Sequence, residues 1–279
     1  MRGNQAKHAF PVGALLLAAV AAGSVPPAPA AEDGPGVAAG PGFERLDANG
    51  DGRLSPDEVP RKDLFKAFDR DGDGFVTPAE IAATNADRAR RQAKDALEQA
   101  GVVAHYDIRY TQSEGVEAAR QSLDVYTRPD LKGAPVILFF HGGGWQIGDK
   151  LVAAQQKPAG FVPEGYLFVS ANYRFRPRAT LDDILSDCAA AVRWVAGHAA
   201  EYGGDGRRVF LFGHSAGAHL AALLATDHRY LQAAGLQPDI LRGAVPLDMG
   251  FYDVAAAART AWDASRAAMI ATVFGKDES

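Results

Sequence analysis

The stretch that most constrains this chain runs from Val209 to Thr226. It joins the apolar run Val209–Phe212, the pentapeptide Gly213-His214-Ser215-Ala216-Gly217 and an Ala/Leu-rich run with no spacer between them. That order predicts a strand, a tight turn and a helix over Ala216–Thr226. The glycines at the two ends of the turn let backbone pass close by, and the turn lifts the Ser215 hydroxyl above the strand end at a helix N-terminus. Such an elbow needs a sheet to carry it.

The flanking sequence supplies one. Short β-rich runs occur at Tyr106–Tyr110, Ser122–Tyr126, Val136–Phe140, Leu167–Ala171, Val209–Phe212 and Gly243–Leu247. Helical stretches at Asp182–His198 and Ala216–Thr226 separate the later ones. Apolar strands alternating with amphipathic helices predict an α/β fold, a mainly parallel sheet with helices on both faces. The first two runs read as an antiparallel hairpin at one edge.

A second glycine turn, His141-Gly142-Gly143-Gly144-Trp145, directly follows the run Val136–Phe140. A loop of this kind frees backbone N–H groups to converge on one point. Ser215 is therefore the candidate nucleophile, and the N–H groups of Gly143, Gly144 and Ala216 are candidate oxyanion-hole donors. One such donor can lower a barrier by about 3 kcal/mol.

Ahead of this module lie two calcium-loop patterns 22 residues apart. The first offers Asp47, Asn49, Asp51, the Arg53 carbonyl, Ser55 and Glu58; the second offers Asp69, Asp71, Asp73, the Phe75 carbonyl, Thr77 and Glu80. Gly52 and Gly74 stand at the sharp turn, so both fit the twelve-residue EF-hand loop and predict two Ca²⁺ sites. Leu54 and Val76 occupy the apolar eighth position, as expected if the loops pair back to back. Phe43, Leu46, Phe65 and Phe68 are the expected shared core. Ser55-Pro56-Asp57-Glu58 and Thr77-Pro78-Ala79-Glu80 each read as an N-cap, a Pro at N1 and an acid at N3, so each loop is expected to open a helix. The whole resembles a compact EF-hand pair in which the segment between the loops serves as exit helix and entry helix at once. A polar helix is predicted from residue 78 to about 100, ended by Gly101.

The chain opens as an address. Arg2, Lys7 and His8 precede the apolar run Phe10–Ala22, and Ala28 and Ala30 sit at the small positions of a cleavage site. This reads as a signal peptide over residues 1–30, implying a secreted or periplasmic protein. The apolar run is too short to span a membrane comfortably, and no later run suggests a span. The expected organisation is a flexible Gly/Pro/Ala linker at 31–42, an EF-hand pair at 43–84, a helical linker at 85–101 and the sheet module at 102–279. In an exported protein calcium is expected to serve structure or docking rather than switching. The net charge of −5 gives no general attraction for nucleic acid or anionic membranes. The single cysteine, Cys188, falls on the apolar stripe Ile184, Cys188, Val192, Val195 and reads as a core residue.

Residues 105 to 279 resemble the α/β-hydrolase superfamily, in its secreted esterase and arylformamidase-like branch. The matching residues are Leu123-Asp-Val-Tyr126, His141–Trp145 with Gly148-Asp149-Lys150, Asn172-Tyr173-Arg174, Tyr202-Gly-Gly-Asp205, Gly213–Leu220 and Pro246-Leu-Asp248. The resemblance implies hydrolysis of a short acyl ester or N-formyl amide, free or linked to a polysaccharide, through an acyl-enzyme on Ser215.

The branch places its acid and histidine after the last two strands of the sheet, whereas this sequence ends at Ser279, just past its sixth strand. None of His141, His214, His219 and His228 is placed as the base. His219, one turn along the Ser215 helix, reads as packing or capping, and His141 as a structural loop residue. Asp248 reads as either a loop-closing residue or the acid. The expectation is a truncated hydrolase. The alternative is a calcium-dependent docking protein whose hydrolase domain is incomplete.

Overall fold

In the computed structural model, which describes residues 41–151, 156–250, 252, 254–259, 270–271 and 273–274, three helices precede the sheet. They are α1 (Pro41–Leu46), α2 (Lys62–Phe68) and α3 (Pro78–Gln99). The sheet module then runs β1 (Val103–Arg109), β2 (Ser122–Thr127), β3 (Ala134–Phe140), α4 (Lys157–Phe161), β4 (Leu167–Ala171), α5 (Leu181–His198), β5 (Gly204–His214), α6 (Ala216–Thr226), α7 (Arg229–Ala233), β6 (Leu241–Leu247) and α8 (Val254–Arg259). The expected signal peptide and residues 31–40 of the expected linker lie outside the described residues. Among the described residues, no helix is long and apolar enough to cross a membrane.

The six strands form one sheet in the order β1-β2-β4-β3-β5-β6. β1 pairs antiparallel with β2 at the edge, and β2 antiparallel with β4. The β4–β3, β3–β5 and β5–β6 pairs are parallel. This is a mixed sheet with helices, consistent with the α/β fold expected from the sequence. Burial on both faces explains the nearly unbroken apolar runs of β3 and β4. Val136, Leu138 and Phe140 belong to the core shared with α5 and α6. Across the sheet, Phe161 of α4 stacks on Phe168 at 5.9 Å and meets Phe212 edge-on at 5.6 Å. The stripe Ile184, Cys188, Val192 and Val195 on α5 is fully buried, so Cys188 packs as a small apolar side chain.

The EF-hand pair has its own core of Phe43, Leu54, Phe65, Val76 and Ile81, with Leu46, Val59 and Phe68 against it. Leu54 and Val76 exchange both backbone hydrogen bonds at 2.8 Å, so the loops pair through their eighth positions. The second loop opens α3 with a reciprocal box between Thr77 and Glu80. The far end of α3 closes on Gly101 (φ +66°). There Gly101 N–H donates to Glu98 and Val102 N–H to Leu97, the glycine-terminated helix stop.

One expectation fails. The first loop does not open a helix: residues 56–60 form turns, and α2 starts only at Lys62. Pro60 accounts for this, since it donates no hydrogen bond and disfavours helical backbone at Val59. The N-cap signature at Ser55 is thus overridden five residues later, and α2 alone serves as the entry helix of the second loop.

Glycine substitutions test where backbone approach is tight. A Cβ on Gly217 would lie 2.1 Å from the Phe140 carbonyl oxygen, whereas one on the exposed Gly197 of α5 meets nothing within 4 Å. Gly217→Ala is expected to lower the urea midpoint strongly. Gly197→Ala should raise stability by about 0.5–1 kcal/mol.

Candidate active site and metal loops

The elbow forms as its sequence requires. Ser215 has φ +51° and ψ −118° between β5 and α6, a conformation costing a non-glycine residue about 1–3 kcal/mol. The surroundings over-determine it. Ser215 N–H donates to the Leu247 carbonyl of β6 at 2.9 Å, and the Ser215 carbonyl accepts from Ala218 and His219 N–H. A Cβ on Gly213 would sit 2.0 Å from the Gly217 carbonyl oxygen, so both glycines of the pentapeptide are steric necessities.

The structure brings the second glycine turn to the same place. A Cβ on Gly142 would lie 3.1 Å from the Ser215 Cβ. The Gly143 carbonyl accepts from both Gln146 and Ile147 N–H at 3.1 Å, closing a tight turn in which Trp145 adopts φ +61°. Among the described residues, neither Gly143 nor Gly144 donates its N–H to a protein acceptor. Ala216, as the first residue of α6, has no intrahelical acceptor for its own. Uncommitted amides in a turn that meets the strained serine at Gly142 are what an oxyanion site requires.

The histidines divide into two kinds. His141 is buried, stacks on Tyr173 at 4.4 Å and holds the Gly142 carbonyl with Nδ1 at 2.7 Å. Because a carbonyl only accepts, Nδ1 carries the proton. His219 is buried edge-on between Trp145 (5.4 Å) and Phe274 (5.3 Å), so it packs, as its helix position suggested. Burial pushes both rings down, His219 to about 4. His214 is different: it is exposed, and its Nε2 lies 3.6 Å from the Asp248 carboxylate at the end of β6. The sequence alone assigns His214 no role and leaves Asp248 open between two. Their approach follows from the β5–β6 pairing, which places His214 beside Leu247. Among the described residues, no histidine hydrogen-bonds to the Ser215 hydroxyl.

Both metal loops carry a fitting donor set. The Asp69, Asp71 and Asp73 carboxylates converge within 4.8 Å. In the first loop Asp47 accepts from Asp51 and Gly52 N–H, and Asn49 Oδ1 accepts from Asp51 N–H at 2.8 Å. These bonds fold the side chains inward. Glu58 and Glu80 each reach back across their loops, to the Ala48 and Arg70 N–H groups and to Ser55 and Thr77. The hydrogen bonds to Ser55 hold the Glu58 carboxyl below its ordinary range. At Glu80 burial pulls upward, but the Thr77 and Arg70 amides outweigh it and the net direction is down. Acceptor oxygens gathered on turns with φ +80° at Gly52 and +87° at Gly74 suit a hard cation with oxygen ligands.

Comparison with known proteins agrees with this division. A family described as BD-FAE matches residues 123–240, and the EF hand family matches residues 42–59 and 62–83. The chain is 36% identical over 147 residues to a probable carboxylic ester hydrolase, LipM, of Mycobacterium tuberculosis, covering 50% of this chain and 34% of that protein. It is 38% identical over 107 residues to a probable isoprenylcysteine alpha-carbonyl methylesterase, ICMEL1, of Oryza sativa, covering 38% of this chain and 25% of that protein. The chain thus spans about a third or less of the length of these curated relatives. Among solved structures, esterase B from Lactobacillus rhamnosis superposes with a TM-score of 0.49 at 24% identity, covering 71% of this chain and 65% of that one.

The buried histidines give the fold an acid limit. His141 and His219 stay neutral when folded, whereas unfolded histidine takes up a proton near 6.5. Their contribution is complete above pH 6.5 and is lost as pH falls toward 4. His219 alone is expected to cost on the order of 2 kcal/mol by pH 4.5. Urea midpoints at pH 7 and pH 4.5 should diverge in the native chain and diverge less in His219→Leu.

Proposed function

We propose that the chain is an exported, calcium-binding carboxylic ester hydrolase that works through an acyl-enzyme on Ser215. The observation that carries this reading is the strained Ser215 beside the uncommitted amides of Gly143, Gly144 and Ala216. In this mechanism Ser215 Oγ attacks the carbonyl carbon of a short acyl ester or N-formyl amide, and its proton passes to a base. The three N–H groups hold the oxyanion. Collapse then expels the alcohol or amine, which takes up a proton, and water cleaves the acyl–Ser215 bond. The resemblance of the sheet module to named ester hydrolases supports the substrate class, whether the ester is a free small molecule or linked to a polysaccharide. The acidic net charge argues against nucleic acid as a partner.

Two Ca²⁺ ions would be held in the loops, one by Asp47, Asn49, Asp51, the Arg53 carbonyl, Ser55 and Glu58, the other by Asp69, Asp71, Asp73, the Phe75 carbonyl, Thr77 and Glu80. An ion held there would cross-link each loop and serve structure, since these ligands would enclose it. Residues 1–30 direct export to the periplasm or beyond.

A second reading rests on a specific observation: no described histidine reaches the Ser215 hydroxyl. Serine without a base is a weak nucleophile, and the chain would then bind rather than turn over. Intact mass after treatment with a fluorophosphonate probe separates the two. Labelling that adds one adduct and vanishes in Ser215→Ala is expected. Labelling that persists in Ser215→Ala overturns the assignment, and no labelling of the native chain favours the docking protein.

A further inference from the structure

A run of charged side chains joins the EF-hand pair to Lys150, at the far end of the loop that carries the glycine turn. It starts at Arg70, the second residue of the second metal loop. Its backbone N–H donates to Glu80 Oε1 at 2.8 Å, and its guanidinium pairs with Asp87 of α3 at 2.7 Å. One turn on, Arg90 lies 3.6 Å from the same carboxylate. Arg90 then reaches off the helix to Asp107 of β1, with its guanidinium 4.6 Å from the centre of the Tyr106 ring.

Asp107 is built for this position. It adopts φ +58° at a break in the β1–β2 register, and its N–H is held by Asp124 at 2.8 Å. A non-glycine residue in that conformation at a bulge is a feature the strand must be made to keep. From it the run enters the core. Lys150, 2% exposed, lies 2.8 Å from both Asp107 and the fully buried Asp124. The Lys150 backbone is fixed at both ends, its N–H donating to Asn172 at 2.7 Å and its carbonyl accepting from Ser170 at 2.9 Å. Asn172 also donates to Asp149. Lys150 stands two residues after Gly148, whose backbone touches His141 so closely that a Cβ there would lie 2.4 Å from Nδ1. The buried ammonium therefore anchors the far end of the loop that carries Gly143 and Gly144.

We infer that Lys150 and Asp107 are positioning residues for the glycine turn, and that through Arg90, Asp87 and Arg70 they tie its rigidity to calcium in the loop 69–80. The inference rests on the calcium reading of that loop and needs no turnover. Filling the loop orders Glu80 and with it Arg70, which leaves Asp87 and Arg90 fewer alternative arrangements. Asp107 and Lys150 then hold the 141–150 segment in one conformation. Part of the entropy of ordering the oxyanion donors is thus met before substrate arrives.

Hydrogen exchange read by mass spectrometry on the full chain, with and without Ca²⁺, tests this. Calcium is expected to slow exchange in 69–80 and also, by about fivefold or more, in 142–150. Arg90→Gln and the more exposed Arg70→Gln should keep the first response and lose the second, and Arg90→Lys should restore much of it. Slowing at 69–80 with none at 142–150 overturns the inference while leaving the calcium reading intact. So does an undiminished remote response in both Gln variants. No response in either segment overturns the calcium reading and the inference together.

Discussion

The site depends on how closely the start of α6 approaches the end of β3. At Gly217 the backbone of the helix lies against the carbonyls of Phe140 and His141, with no room for a Cβ. That contact brings the elbow and the glycine turn to one point, because β3 ends where the turn begins and β5 ends where the elbow begins. Parallel pairing of β3 with β5 fixes the levels of the two ends, setting Phe140 opposite Gly213. Any side chain at Gly213 or Gly217 would push them apart. The strain at Ser215 follows from this approach, and the buried sheet below supplies the stability that sustains it.

Strain elsewhere follows the same geography. Among the described residues, the non-glycine positions with positive φ are Asp107, Trp145, Ser215 and Asp248. Three surround the elbow, and the fourth bridges α3 and Lys150. The EF-hand pair stands on different physics. Among the described residues its core holds five buried apolar side chains, a small core for a module that metal would supplement. α3, capped at both ends, leads from the second loop to β1.

Features with local causes were legible in the sequence. Glycine in a tight turn, oxygen ligands at fixed loop spacing and a Thr-Pro-x-Glu cap each act within a dozen residues, and the structure forms all of them. The β4 run and the α6 span fall on the expected residues because apolar periodicity alone decides them. β5 extends beyond its apolar run, since its ladder continues to Gly204 opposite Ala134. The exit from the first loop was misread because Pro60 acts against a cap that looked sufficient by itself. Asp124 and Lys150 lie in stretches that carry the family resemblance, but nothing local joins them to Asp107: the three come from separate segments, and only strand order brings them together. The approach of His214 to Asp248 is hidden for the same reason, requiring β6 to lie beside β5.

Hydrolysis of a short-chain nitrophenyl ester, followed with calcium present in the native chain and in Ser215→Ala, tests the central claim most directly. The account predicts release of nitrophenol that is saturable in the native chain and absent from the variant. Equal rates in the two would contradict it, leaving the strained serine and its amides without a catalytic part.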